Sequence, residues 1–278
     1  MIIDAHVHFS NVQSFYTAAD EADVDYSYAG YLKECKEANV KASVCMGVTE
    51  STPHAFPDKE SQNPMLANLD ENTPPGLFIC MGVNPHTLDE DAIKRMKARI
   101  KDDARIKGFK IYAGYYHRYI TDDVYTPVYK LAAEHGLPVA IHTGDTYSET
   151  GLLEYSHPLA ADKLAVQFRD VNFLLCHMGN PWVTDACEIA YKNRNVYLDI
   201  SGLEEGNERK LAITRENDYF MNFKATGLHI LNNWEKVLFG TDWPLVPVKA
   251  YADLCRRLIP QEHHDNVFFK NARNFYQI

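Results

Sequence analysis

The chain has 278 residues, of which 46% are hydrophobic, and its formal net charge is −10. This length suits one large globular domain or two small ones, and no apolar run approaches the roughly 20 residues that cross a bilayer. The negative charge disfavours nonspecific binding to nucleic acid or to anionic membranes, so we expect a small-molecule substrate and neither nucleic acid nor membrane as a partner.

Short apolar segments alternate with amphipathic ones along the whole chain. In chain order, the apolar segments predict eight strands, at residues 1–9, 41–48, 76–83, 106–112, 137–144, 171–179, 195–202 and 236–244. The amphipathic segments predict helices at 27–40, 89–104, 122–136, 158–168, 181–193 and 249–259, with one or two more in 263–278. Such alternation indicates a parallel sheet, and eight strands close a (β/α)₈ barrel. We therefore predict an α/β protein, a (β/α)₈ TIM barrel that forms a single domain over residues 1–278.

Two regions are longer or less regular than a plain barrel needs. They are residues 49–64, after the second strand, and residues 203–227, after the seventh. In this fold the loops that follow the strands surround the active site. We expect both regions to lie over the C-terminal face of the barrel.

The six cysteines form no C-x-x-C pair, which argues against a zinc finger or a thioredoxin motif. Cys45, Cys80 and Cys176 lie inside apolar runs, as small buried residues do in a reducing compartment. The N-terminus shows no basic region followed by an apolar stretch, so we expect no signal peptide. These features predict a cytoplasmic protein.

Polar side chains interrupt or end several of the predicted strands. His6 and His8 are two residues apart on the first strand and therefore point the same way. Later strands contribute Lys110, His142, His177 and Asp242. Each alone has an ordinary explanation, such as a hydrogen-bonded core histidine, a surface lysine or a helix cap. Because strand ends converge on one face of a barrel, the set together predicts a metal site.

These motifs as a set resemble the amidohydrolase superfamily of metal-dependent (β/α)₈ enzymes. The resemblance rests on H-x-H after the first strand, a histidine in strands five and six, and the aspartate of "GTDWP", and it runs from "DAHVH" to "NARNF". The branch that it favours is the amidohydrolase-related group, which contains lactone hydrolases and nonoxidative decarboxylases. The resemblance implies that His6, His8, His142 and Asp242 bind metal, that Asp242 also handles the proton, and that His177 polarises the substrate.

Lys110 leaves two interpretations open. The segment "GFKIY" resembles the place where a carboxylated lysine bridges two metals in cyclic amidases. In the amidohydrolase-related branch, a similar lysine binds the substrate carboxylate beside one metal. We favour one metal, with Lys110, Tyr112 and His177 binding the substrate. Zn²⁺ suits the histidine-rich set, and Mn²⁺ fits a site that contains an aspartate.

The resemblance implies hydrolysis of a C–O or C–N bond in a small anionic molecule, such as a lactone or a cyclic amide, by metal-activated water with Asp242 as the base. The alternative is metal-dependent nonoxidative decarboxylation of an unsaturated or aromatic carboxylic acid. A noncatalytic barrel is a third reading, which the retention of Asp242 disfavours. A TatD-type deoxyribonuclease is disfavoured because "GFKIY" stands where that group has a glutamate.

Other residues are weaker candidates for the site. Asp4 and Asp199 are expected to contact and orient the ligand residues without binding the metal themselves. Trp182 and Trp243 are expected to pack the top of the barrel. The expected mouth of the pocket includes His54, Phe56, His86, Tyr115, Tyr116 and His117. The aromatic-rich loops are compatible with a homodimer.

Overall fold

The computed structural model describes residues 1–70 and 72–278 and contains one sheet of eight parallel strands. In chain order these are β1 (Ile2–Val7), β2 (Val40–Met46), β3 (Leu77–Val83), β4 (Ile106–Ile111), β5 (Val139–Ile141), β6 (Phe173–Leu175), β7 (Val196–Asp199) and β8 (Val237–Leu238). Each strand pairs with the next one in the chain. None of the helices in the described residues is long and apolar enough to cross a membrane.

The last strand returns to the first, so that the sheet forms a nearly closed barrel. Ala5 N donates to Phe239 O over 2.9 Å, and Asp242 N donates to His6 O over 2.8 Å. Val7 and Trp243 form an additional parallel bridge. The predicted (β/α)₈ barrel is confirmed.

Helices occupy the connections between the strands. They are α1 (Gln13–Glu21), α2 (Tyr28–Ala38), α3 (Glu90–Asp102), α4 (Thr126–His135), α5 (Leu153–Ser156), α6 (Ala160–Gln167), α7 (Val183–Lys192), α8 (Glu208–Arg215), α9 (Asp218–Leu231), α10 (Val248–Leu258) and α11 (Asn271–Tyr276). The region 203–227 is thus largely helical. Asn207 and Asn217 cap α8 and α9 by accepting hydrogen bonds from backbone N–H groups of the first turns.

Region 49–64 contains no helix or strand and is held by buried polar groups instead. Asn84 Nδ2 donates to the carbonyl oxygens of Asp58 and Ser61, each over 2.8 Å. Asn63 Nδ2 donates in turn to Asn84 O over 2.7 Å. These bonds fix the loop against the end of β3, where it can form part of a pocket wall.

The interior of the barrel is apolar at one end and polar at the other. Small and medium side chains from successive strands fill it, and α11 adds Phe275 and Tyr276 to the same cluster. The carboxyl ends of the strands carry buried histidine and aspartate side chains. Among the described residues, this second end brings together groups suited to chemistry.

Asp4 joins the first and last strands beneath this polar end. Its Oδ1 accepts from Thr241 N over 3.0 Å and its Oδ2 from Thr241 Oγ1 over 2.7 Å. Burial nevertheless raises the pKa of Asp4 to about 7. Because Thr241 precedes Asp242, Asp4 fixes the segment that carries this site residue.

We expect Asp4→Ala to lower the free energy of unfolding by about 1–3 kcal/mol, because buried donors of Thr241 lose their acceptors. Urea denaturation measures the change. Asp170→Ala, at an exposed position, is the matched control and should stay close to wild type. Equal losses in the two variants would show that the contact with Thr241 is not a stabilising one.

Candidate metal centre

The structure brings the predicted site residues to the carboxyl ends of their strands. His6 lies in β1 and His8 follows it, while His142 follows β5 directly. His177 comes two residues after β6, and Asp242 four residues after β8, so these two strands end earlier than the sequence predicted. Lys110 lies within β4, and all six side chains are buried.

Asp242 is the point on which the histidines converge. Its Oδ1 lies 3.0 Å from His8 Nε2 and 3.3 Å from His6 Nε2. Its Oδ2 lies 3.7 Å from His177 Nδ1. Ligand atoms of His6, His177 and Asp242 all lie within 4.8 Å of one another. His142 joins the group through His177, with its Nδ1 3.0 Å from His177 Nε2.

The backbone takes an unusual conformation at two of these residues. His177 and Asp242 have φ angles of 61° and 65°, in the left-handed region that side chains other than glycine seldom adopt. Such positions cost about 1–3 kcal/mol each and concentrate at functional sites. At Gly202, an added Cβ would lie 2.8 Å from His177 Nδ1 and 3.2 Å from Asp242 Oδ2. Glycine here lets the chain after β7 approach both residues.

Asp199, at the end of β7, orients the first-strand histidine. Its Oδ2 lies 2.9 Å from His6 Nδ1. Because an ionised carboxylate can only accept, His6 carries its proton on Nδ1 and its Nε2 lone pair faces Asp242. The other carboxylate oxygen accepts from His177 N over 2.8 Å and from Ser201 Oγ over 2.5 Å.

The site holds neutral imidazoles beside ionised carboxylates. Burial lowers the pKa of His6, His8 and His142, and it lowers the pKa of His177 to about 4. Burial alone would raise the pKa of Asp242, but the neighbouring histidines hold it well below its usual range. Neutral imidazole and ionised carboxylate are the protonation states that bind metal ions.

Three buried atoms of the site residues have no hydrogen-bond partner in the part of the chain that the structure describes: His6 Nε2, His8 Nδ1 and Asp242 Oδ1. Of these, His6 Nε2 and Asp242 Oδ1 lie 3.3 Å apart. Buried polar groups are costly unless something satisfies them, and a divalent cation would satisfy both. Nitrogen and oxygen donors of this kind fit zinc and similar ions, so the residues present fit a metal.

A cavity of about 250 Å³, here called the inner cavity, opens beside the centre. It is lined by His8, Ser14, Phe15, Ala18, Phe56, Lys110, Tyr112, Tyr115, His142, Tyr147, Ser148, His177, Asp242 and Leu245. Lys110 Nζ lies 3.1 Å from Cys176 Sγ and 5.4 Å from the centroid of the Tyr112 ring. Among the described residues no carboxylate pairs with Lys110.

Tyr112 offers its ring to this cavity and directs its hydroxyl elsewhere. The hydroxyl donates toward the carbonyl oxygens of Met46 and Gly47, at 3.1 and 2.9 Å. The Tyr112 hydroxyl is therefore already bonded to the backbone at the end of β2. The side chain can contribute an apolar surface to a bound molecule.

A second cavity of about 320 Å³, here called the outer cavity, adjoins the same centre. It shares Tyr115, Tyr147, His142, His177, Asp242 and Leu245 with the inner cavity and adds Asp145, Thr146, Asn180, Gly202 and Glu205. The cavity wall around Glu205 and the charge of Asp242 raise the pKa of Glu205 to about 7, although the residue itself is exposed at the rim. The centre thus faces two compartments whose walls differ in charge.

Some residues expected at the mouth lie outside the linings of these two cavities: His54, His86, Tyr116 and His117. Trp243 packs against Phe9, Tyr26 and Tyr31, as expected of a packing residue.

Sequence reasoning missed Phe15, Tyr147, Ser201 and Glu205. Phe15 stacks on His8 with ring centroids 4.4 Å apart. It belongs to α1, which begins without a side-chain cap and so gave little signal. Ser201 could have been found, because it lies two residues after Asp199 in "DISG".

Histidine and carboxylate side chains converge at the strand ends of the barrel. This arrangement is typical of (β/α)₈ enzymes that can hold a metal ion there. A family model for amidohydrolases, Amidohydro_2, matches residues 3–278, and the chain therefore belongs to that family. This match confirms the resemblance seen in the sequence and makes the protein an enzyme of the amidohydrolase superfamily. No curated protein matches the chain.

Solved structures similar to the chain include enzymes of two kinds. A 5-carboxyvanillate decarboxylase from Sphingomonas paucimobilis is 15% identical, with a TM-score of 0.64 over 100% of this chain and 99% of that one. A probable 2-pyrone-4,6-dicarboxylic acid hydrolase from Acinetobacter baumannii is 12% identical, with a TM-score of 0.61 over 100% and 99%.

A second 5-carboxyvanillate decarboxylase, from Novosphingobium aromaticivorans with bound manganese, is 12% identical, with a TM-score of 0.62 over 100% of this chain and 97% of that one. At such low identities these three likenesses show the fold alone.

We expect Asp199→Asn to weaken the affinity for a divalent metal about 10–100-fold, because the neutral amide has one acceptor oxygen in place of two and cannot hold both His6 Nδ1–H and the backbone N–H of His177. Competition with a chromophoric chelator measures the affinity. The exposed Asp185→Asn is the control, and circular dichroism checks that both variants fold. An unchanged affinity would show that Asp199 does not orient a metal ligand.

Proposed function

We propose that the protein is a metal-dependent hydrolase that cleaves a C–O or C–N bond in a small anionic molecule of the lactone or cyclic amide type. One observation carries the proposal. The inner cavity places a buried lysine without a carboxylate partner beside an ionised aspartate that has an unpaired oxygen. The lysine suits an anionic substrate, and the aspartate suits proton transfer.

For the metal, we propose His6, His8, His142 and Asp242 as ligands of one Zn²⁺ ion, with Mn²⁺ as the alternative. Such an ion supplies Lewis acidity, which polarises a carbonyl group and lowers the pKa of water. We favour one ion over two because Lys110, the candidate for carboxylation, contacts Cys176 and the Tyr112 ring.

Asp242 is the proposed proton carrier. Its carboxylate remains ionised at neutral pH because the surrounding histidines lower its pKa. It can therefore accept a proton from the attacking water and pass it to the leaving group. The leaving oxygen or nitrogen then departs as a neutral alcohol or amine.

His177 is the proposed donor to the substrate carbonyl. His142 Nε2 donates to Asp145 O over 2.8 Å, which leaves His142 Nδ1 as an acceptor facing His177 Nε2. Once His142 Nδ1 serves as a metal ligand, a proton on Nε2 of His177 is free to donate. In that tautomer the Ser201 hydroxyl, whose Oγ lies 2.9 Å from His177 Nδ1, turns its proton from Asp199 to His177 Nδ1. A donor in this place stabilises the negative charge that develops on the carbonyl oxygen.

The proposed shape of the substrate follows from Lys110 and from the aromatic side chains that line the inner cavity. The ammonium group would bind a carboxylate, and the rings of Phe15, Phe56 and Tyr112 would pack against a flat apolar body. A cavity of about 250 Å³ admits only a small molecule. We therefore propose a small, planar, anionic substrate.

Decarboxylation of an unsaturated or aromatic acid is the second candidate. The aromatic rings around Lys110 favour it, since they would hold an aromatic acid as readily as a lactone. Two of the structures named above are decarboxylases, which supports the same candidate. Both reactions would use the same metal ligands, so an assay has to separate them.

A homodimer and a cytoplasmic location remain predictions. All six cysteines are free, and five of them are buried, which supports a reducing compartment.

The purified protein should contain about one equivalent of divalent metal per chain, and a chelator should abolish activity. Metal analysis by mass spectrometry tests this directly. Less than about a tenth of an equivalent, with activity that resists chelators, would overturn the proposed metal enzyme.

Asp242→Asn should lower kcat about 10²–10⁴-fold, because the amide cannot accept the proton of the attacking water. Asp170→Asn, on the exposed surface, serves as the control. A small effect on kcat with full metal content would assign proton transfer to another group.

A panel of lactones, cyclic amides and hydroxybenzoates separates the two reactions. We expect proton release without carbon dioxide, followed with a pH indicator and a carbon dioxide assay in parallel. Lys110→Met should raise KM about tenfold or more for anionic members and leave neutral analogues unaffected. Stoichiometric carbon dioxide from a hydroxybenzoate would establish the decarboxylase instead.

A further inference from the structure

The inner and outer cavities share six side chains, which include His142, His177 and Asp242 of the centre. A molecule that reacts at this centre can therefore extend into both. Asp242 lines both cavities, but the other charged residues in their walls differ in sign. Lys110, which is 1% exposed and has no carboxylate partner among the described residues, lies in the inner cavity.

Asp145 and Glu205 lie at the rim of the outer cavity. In the described part of the chain neither carboxylate forms an ion pair. Glu205 is close enough to Asp242 and Asp145 for their charges to raise its pKa. The outer cavity thus offers carboxylate acceptors, and Lys210, whose charge lowers the pKa of Glu205, forms its ion pair with Glu204 instead.

The backbone holds Glu205 in place on both sides. Gly206 N donates to Leu245 O over 2.9 Å, which ties the segment to the loop after β8. Leu203 N donates to Tyr251 Oη over 3.0 Å, and that hydroxyl donates to Ile200 O over 2.6 Å. Glu205 is therefore a fixed part of the rim.

We propose that Glu205 is a specificity-determining residue, which selects substrates that carry a hydroxyl or amino group opposite the anionic group and rejects dicarboxylates. This inference rests on the proposed function, in which Lys110 binds the anionic end. The carboxylate of Glu205 accepts a hydrogen bond from the far end of the substrate, and it repels a second carboxylate there. The substrate class is then a small monoanion with a distal donor.

Three flat probes test the proposal: benzoate, 4-(aminomethyl)benzoate and terephthalate. Isothermal titration or competition measures their binding to the metal-loaded protein, without any need for turnover. A buffer of low ionic strength and alkaline pH keeps Glu205 ionised and limits screening. We expect wild type to bind the amine-bearing probe at least about tenfold more tightly than terephthalate.

Glu205→Gln should reduce this affinity ratio about 3–10-fold, and Glu205→Lys should reverse the preference. Glu204→Gln is the matched control. Glu204 lies 2.8 Å from Lys210 Nζ, accepts from Thr214 Oγ1 over 2.9 Å and does not line the outer cavity. Its removal should leave the ratio unchanged, although it alters the net charge equally.

The measurements distinguish a failure of the role of Glu205 from a failure of the anion site on Lys110. If benzoate binds but the ratio stays the same in both Glu205 variants, the role of Glu205 is overturned while the anionic substrate survives. If no probe binds wild type, or if Lys110→Met binds benzoate as well as wild type does, the proposed anion site on Lys110 is overturned together with this inference. Metal content and circular dichroism, measured for each variant, show that binding is compared among folded proteins.

Discussion

The centre depends on the hydrogen bond between Asp199 and His6. A neutral imidazole has one donor and one acceptor, and fixing one nitrogen decides what the other can do. Asp199 Oδ2 accepts a hydrogen bond from the protonated Nδ1 of His6, so the Nε2 lone pair of His6 faces Asp242. The second oxygen of Asp199 binds the backbone of His177. One carboxylate on β7 thereby organises residues from β1 and from the segment after β6.

The strained backbone after β6 and β8 brings His177 and Asp242 close to His6. Strands β6 and β8 have three and two residues, and the chain after each turns through a left-handed conformation at His177 and Asp242. Without these turns the side chains would follow the alternation of a strand. The hydrogen bond from His177 N to Asp199 offsets part of the cost of the strained backbone, and Gly202 leaves room for the turns.

The barrel and the main site residues were predictable from the sequence because both depend on local patterns. His6 and His8 share a face through the two-residue period of a strand, and His142 and His177 interrupt apolar runs. Ser201 and Glu205 were not predicted because their positions beside the site depend on residues that are distant in the sequence. Ser201 Oγ lies 3.2 Å from His6 Nδ1, across 195 positions of sequence. The early ends of β6 and β8 depend on backbone angles that residue type alone does not specify.

In the proposed function, the burial of Lys110 costs stability and serves the binding of an anion. An ammonium group has three donors, yet here its contacts are a sulfur, which is a weak acceptor, and the Tyr112 ring. Burying a cation with so little compensation costs several kcal/mol, more than most single side chains contribute to stability. A bound anion would supply the missing acceptors and recover part of that energy as affinity.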